Sequence, residues 1–239
     1  MKLTLKLLII SLVFISFFTK ADLQKGIDAA NEGDFETALF HFNYLVENNY
    51  GPAMYHLGQM HEFGYGIARD PKKAADIYSQ GAKLGEADAM FALATLYEDG
   101  KGVKKDLQMA ASLYQQSAKK GLAPAQFNLG VMYANGTGVI QDFFQAKEWY
   151  TKAAAQNYAA AQFNLALLYF EGQGVDKSLE MSFIWNSIAE FNGHKDASHS
   201  RKLDERKMSP SQVEEATEKA NVLYQKILAG KYYGDERRI

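Results

Sequence analysis

The sequence predicts an all-α fold, a right-handed α-solenoid of stacked antiparallel helix pairs, and three observations lead there. Leu57, Leu93, Leu129 and Leu165 stand 36 residues apart in a chain of 239. Two glycine columns keep the same step: Gly64, Gly100, Gly136, Gly172 and Gly66, Gly102, Gly138, Gly174, the second followed each time by Ile67, Val103, Val139 or Val175. A column of Asp34, Asp70, Asp106, Asp142 and Ser178 does likewise. A period of this length marks a supersecondary unit that cannot bury its own apolar face and must stack on copies.

Taken in order, the first segment lies outside that lattice. Lys2 and Lys6 precede an apolar run from Leu7 to Phe18, and Thr19-Lys20-Ala21 offers small residues for cleavage. This is the layout of a secretory signal. The stretch between Lys6 and Lys20 is shorter than the roughly 20 apolar residues of a spanning helix, so the expectation is export, to the periplasm or beyond, with cleavage near Ala21 and no stable membrane anchor afterwards. Cleavage would remove three lysines and no acid, making the formal net charge of −2 more negative. A weakly acidic chain lacks the basic stripe that nucleic-acid binding needs. There is no cysteine, which excludes disulfides, thiolate catalysis and cysteine zinc sites.

Asp22 to Glu32 and Phe35 to Asn48 read as a capping hairpin joined at Gly33-Asp34. In each repeat the aspartate or serine column is an N-cap, since its side-chain oxygen can accept from free N–H groups at a helix start. Pro71 fits the first turn behind Asp70. Asn49, Gly85, Gly121, Asn157 and Gly193 form the stop column, being the residues that most readily take the left-handed conformation ending a helix. A second helix therefore runs from about Pro71 to Leu84, and likewise in the other units. The first helix of each unit starts near Ala53, Ala89, Ala125 and Ala161, with Ala197 opening a degenerate fifth unit. Leu57, Met60, His61 and then Leu93, Leu96, Tyr97 give its inward face at helical spacing.

Gly58, Ala94, Gly130 and Ala166 require close helix approach, as do Ala74, Ala110, Ala146 and Ser182 on the second helix. The bulky Ile77-Tyr78, Leu113-Tyr114, Trp149-Tyr150 and Trp185 read as core. Ser209-Pro210 opens a terminal helix whose Val213, Ala216, Ala220, Leu223, Tyr224, Ile227 and Leu228 would seal the last apolar surface. The expected division is a signal segment 1–21, a capping hairpin 22–52, repeats 53–88, 89–124, 125–160 and 161–196, capping helices 197–230 and a flexible tail 231–239.

Candidate chemistry is sparse. Each glycine loop follows a helix instead of a strand and lacks a Lys-Ser or Lys-Thr pair, so it reads as a turn and not a phosphate cradle. Ser117-Ala118-Lys119-Lys120 holds an S-x-x-K spacing, but no Ser-Asp-Asn or Lys-Thr-Gly accompanies it. His56 and His61, and His194 and His199, are five apart, about 140° around a helix, which one straight helix cannot use to chelate a metal. No cofactor or metal is expected.

The run from Ala125 to Val139, followed by Gln141-Asp142, Ala146, Trp149-Tyr150 and Lys152-Ala153-Ala154, resembles the Sel-one-like repeat, a relative of the tetratricopeptide repeat. The resemblance implies a non-enzymatic adaptor that binds a protein or peptide along a concave wall of first helices. Positions facing away from the core there are His56, Gln59, Phe63, Ala92, Thr95, Asp99, Asn128, Val131, Asn135, Asn164, Leu167 and Glu171. Of these, His56, Gln59, Phe63, Thr95, Asp99, Asn128, Asn135, Asn164 and Glu171 are the candidate partner-binding residues. A carboxamide donates to and accepts from a peptide backbone at once. Some exported bacterial members carry a disulfide in every repeat and are linked to penicillin binding or β-lactamase-like activity, which makes a cell-wall hydrolase using Ser117 and Lys120 the alternative. The lack of cysteine sets this chain outside that group. His61 replaces the tyrosine of Tyr97, Tyr133 and Tyr169, which implies a looser first unit.

Overall fold

The computed structural model describes residues 19–232 and 234. Among them are twelve α-helices and no strand. The chain divides into two compact units, one ending at Asp106 and the other beginning at Leu107. The division falls inside the second repeat. Packing between neighbours explains why, because within each unit most contacts join helices adjacent in sequence and no central core gathers them all.

Unit one holds α1 (19–32), α2 (Phe35–Glu47), α3 (Gly51–Phe63), α4 (Pro71–Lys83) and α5 (Ala87–Asp99). Its core gathers Phe42, Met54, Leu57, Met60 and Ile77, with Leu23, Ile27 and Phe35 packed on the outside. The expected signal segment lies outside the described residues up to position 18, and α1 runs through Ala21. Unit two holds α6 (Leu107–Lys119), α7 (Ala123–Asn135), α8 (Phe143–Ala154), α9 (Ala159–Glu171), α10 (Leu179–Phe191), α11 (Ala197–Glu205) and α12 (Pro210–Leu228).

The cap and stop columns act as the sequence implies. Asp34 accepts from the Thr37 N–H, Asp70 from Lys73, Asp142 from Phe144 and Gln145, and Ser178 from Met181. Asn49 and Asn157 take positive φ of 56° and 65°, alongside Gly85, Gly121 and Gly193. First helices begin two residues ahead of the alanine column, at Gly51, Ala87, Ala123 and Ala159, without a side-chain cap bond. Pro52 and Pro124 in the first turn are the sequence signal of that earlier start.

Each glycine loop closes through a backbone bond from the cap residue to the carbonyl nine positions back: Asp70 to His61 at 2.7 Å, Asp142 to Tyr133 at 2.9 Å, Ser178 to Tyr169 at 2.9 Å. Gly138 has φ of 71°, and a Cβ there would strike the Leu107 carbonyl at the start of α6. The second glycine thus answers a close approach of backbones as well as a turn. The branched residue behind it is only partly buried; Ile67 and Val175 pack on their units' cores.

Gly130 faces the Tyr150 ring, and Gly58 the Tyr78 ring, at distances no side chain could share. The terminal helix seals unit two with Ala216, Ala220, Leu223 and Ile227 against Phe183, Ile184, Trp185 and Ile188. Two expectations fail here. Leu228, at the last position of α12, turns off that stripe and is 54% exposed. The chain beyond Gly230 is not uniformly loose: Tyr232 is buried, its ring edge-on to Trp185 at 5.8 Å.

Candidate functional site

The proposed partner-binding residues occupy the first helices, and each unit places its own set. In unit one, His56 of α3 is half-buried and stacked on Phe42 at 5.2 Å. Burial holds its imidazole below the usual histidine range, with Asp88 pulling the other way. Gln59 donates to the Tyr55 hydroxyl at 2.9 Å, and Phe63 is 52% exposed beside Tyr65. His56 and Gln59 line a cavity of about 510 Å³ with Ile27, Phe35 and Met60. Thr95 donates to the Ala92 carbonyl at 2.7 Å, which helix formation alone invites. Asp99 pairs with Lys101 at 2.6 Å in the open. Ala92 is buried and does not belong to the free face.

In unit two, Val131 and Asn135 of α7 meet Asn164 and Leu167 of α9 across a groove of about 350 Å³ floored by Tyr150 and Leu168. Asn164 is hydrogen-bonded to the Tyr150 hydroxyl, whose pKa burial pushes up to about 12. Asn128 is partly buried on α7, and Glu171 is exposed at the end of α9. The structure therefore brings Asn135 and Asn164 to one groove; Asn128 and Glu171 are not among its lining residues.

Ser117 is 0% exposed on α6, while Lys120 lies exposed beyond the helix end. A nucleophile must reach its substrate, and Ser117 sits instead in the small-residue seam with Ala153 and Ala189 at the matching positions. Among the described residues no group of three or more His, Asp or Glu side chains is arranged to hold a metal.

Sequence reasoning missed a polar seam at the turns of unit two. Buried Gln126 donates to the Ala118 carbonyl at 3.1 Å, and Gln162 to that of Ala154 at 3.2 Å. Gln156 then donates to Gln126 at 2.8 Å, and Asn192 to Gln162 at 2.8 Å. Both pairs recur at the 36-residue step, which was the signal available. The buried bonds of Gln126 and Gln162 tie each first helix to the end of the second helix before it, and Gln156 and Asn192 extend them toward the surface.

The Sel1 repeat model matches residues 51–86, 87–122, 123–158 and 159–187, more than half the chain. The chain belongs to the Sel1 repeat family. Such repeats typically serve as protein-interaction scaffolds. This Sel1 repeat protein is similar to a Sel1 repeat protein from Oxalobacter formigenes, at 25% identity, 73% of this chain and 72% of that one covered, and a TM-score of 0.69. It is also similar to c5321, a protective antigen of uropathogenic Escherichia coli with the same fold, at 27% identity and a TM-score of 0.54. That match covers 89% of this Sel1 repeat protein but only 54% of the antigen. No curated protein matches the sequence.

Proposed function

We propose that the protein is an exported, non-catalytic adaptor that seats a peptide or protein segment against the free faces of its first helices. The observation that carries this is the groove between α7 and α9. Its walls offer apolar contact from Val131 and Leu167, and its edges offer the carboxamides of Asn135 and Asn164. A bound backbone needs that mixture, because each buried N–H and C=O must find a partner while the side chains supply area. Burial of Ser117 speaks against acyl transfer at that residue.

A photocrosslinking residue at Asn135 tests the reading, with one at exposed Glu148 of α8 as the control. The expected result is an adduct with a native partner from position 135 alone. Combining Asn128→Ala with Asn164→Ala should weaken that adduct while the helical melt changes little. Equal labelling from both positions, or labelling untouched by the double substitution, overturns the groove as the binding face.

A further inference from the structure

One place in unit two breaks the repeat lattice three times over. Met60, Leu96, Met132 and Leu168 form a buried column whose next member, one period on, is Asp204, only 1% exposed on α11. The tyrosine column of Tyr78, Tyr114 and Tyr150 continues as Asn186, and the alanine column of Ala74, Ala110 and Ala146 as Ser182, both buried on α10. The three replacements meet. Ser182 Oγ donates to Asp204 Oδ2 at 2.7 Å, and Asn186 Nδ2 donates to the same oxygen at 3.0 Å.

The trio does not satisfy itself. Both donors crowd one carboxylate oxygen, and the other accepts no hydrogen bond from the described residues. Asn186 Oδ1 is buried without a partner. Burying an ionisable carboxyl and an unpaired carbonyl costs stability that the apolar column of the other repeats avoids. Desolvation accordingly raises the Asp204 pKa, against the pull of its two hydrogen bonds and of Lys207.

A cavity of about 130 Å³ opens onto this floor, well above the ~10–15 Å³ that one water requires. Phe163, Leu167 and Phe170 of α9 and Leu203 of α11 form its walls. Two of the chain's own ammonium groups already rest on Phe170, Lys207 at 4.4 Å and Lys177 at 5.6 Å from the ring centre. The aromatic wall thus accepts that chemistry.

We propose that this pocket binds a primary alkylammonium group, carried by a free amine or by a lysine side chain of a peptide. The ammonium donors meet the open Asp204 oxygen and Asn186 Oδ1, and the methylene stem lies along the phenylalanine and leucine walls. A guanidinium fits less well, because its fork needs both oxygens of one carboxylate and Ser182 and Asn186 already occupy one. The pocket shares the Leu167 side chain with the α7–α9 groove but has a polar floor of its own.

The test titrates the folded chain with n-butylammonium chloride, Nα-acetyl-lysine methylamide and neutral 1-butanol, following by NMR the Asn186 side-chain amide and, in every variant, the backbone amides of the lining residues Phe170 and Leu203. A saturable shift with an ammonium compound and none with 1-butanol is expected. Asp204→Asn should weaken binding at least about tenfold, the equivalent of one charge-assisted hydrogen bond, and should melt no lower than the parent. Saturation by the lysine compound alone assigns the source to a peptide, and by butylammonium alone to a free amine. Asn186→Leu combined with Asp204→Leu makes both buried positions apolar, so it should melt higher and bind neither compound. The absence of a saturable shift in the parent chain overturns the proposal. So does an equal response to 1-butanol, or undiminished binding in either folded variant.

Discussion

At the scale of single residues, the lattice makes departures readable, and His61 is the plainest. It stands where Tyr97, Tyr133 and Tyr169 recur, is buried, and its Nδ1 has no partner. Burial and the nearby Lys73 hold its imidazole below the usual histidine range, with Asp70 opposing. The unfolded chain therefore takes up this proton at a higher pH than the folded one does. Stability must fall as pH drops through about 6.5, the unfolded value, toward the lower folded value. His56 shifts in the same direction and adds to the effect. His61→Tyr should raise the melting temperature more at about pH 5 than at about pH 7.5, since it deletes one of these two acid-sensitive groups. A pH dependence identical to that of the parent would show that His61 does not titrate on unfolding.

At the scale of elements, most of the fold was legible because its signals are local. An aspartate before a helix and an asparagine or glycine after it act through the backbone a few residues away, so Asp142 and Asn157 could be assigned without knowing the neighbours. Local spacing marks Gly138 as a turn residue, yet its other reason lies about 30 residues earlier, at the Leu107 carbonyl. That contact gives a contrast to measure. Asp142→Ala loses one cap and should cost about 1 kcal/mol. Gly138→Ala meets both a positive φ and a backbone atom, and should cost more, on the order of 2–3 kcal/mol. Urea melts of the two variants rank them; a Gly138→Ala variant as stable as Asp142→Ala would mean that the loop yields easily. The candidate site was half legible. Free first-helix positions follow from helical spacing, whereas the bond of Asn164 to Tyr150 and the burial of Ala92 depend on how neighbouring helices close.

At the scale of the whole molecule, a repeat array without cysteine relies on helix-to-helix packing and on sealed ends. Unit two is sealed by α12 and Tyr232, both docked on the α10 core. The other end of the chain bears on destination. A basic, then apolar, then small-residue order over positions 1–21 supports export, and α1 already runs through the expected cleavage region. N-terminal sequencing of the protein recovered from its native host should find a mature start near Ala21. Recovery of the chain with Met1 retained would place the proposed adaptor on the wrong side of the membrane.

The sequence by itself determined the helices, their caps and stops, the 36-residue repeat and the family, because periodic apolar residues and turn chemistry act over a few positions. The tertiary structure alone decided the division into two units, the α7–α9 groove and the polar seam through Gln126, Gln162 and Asn192. It also decided that Ser182, Asn186 and Asp204 share one floor. The bonds from Gln156 to Gln126, from Asn192 to Gln162 and from Asn186 to Asp204 join side chains 18 or more positions apart. Such meetings depend on the angle and depth at which helices pack, which no local spacing encodes.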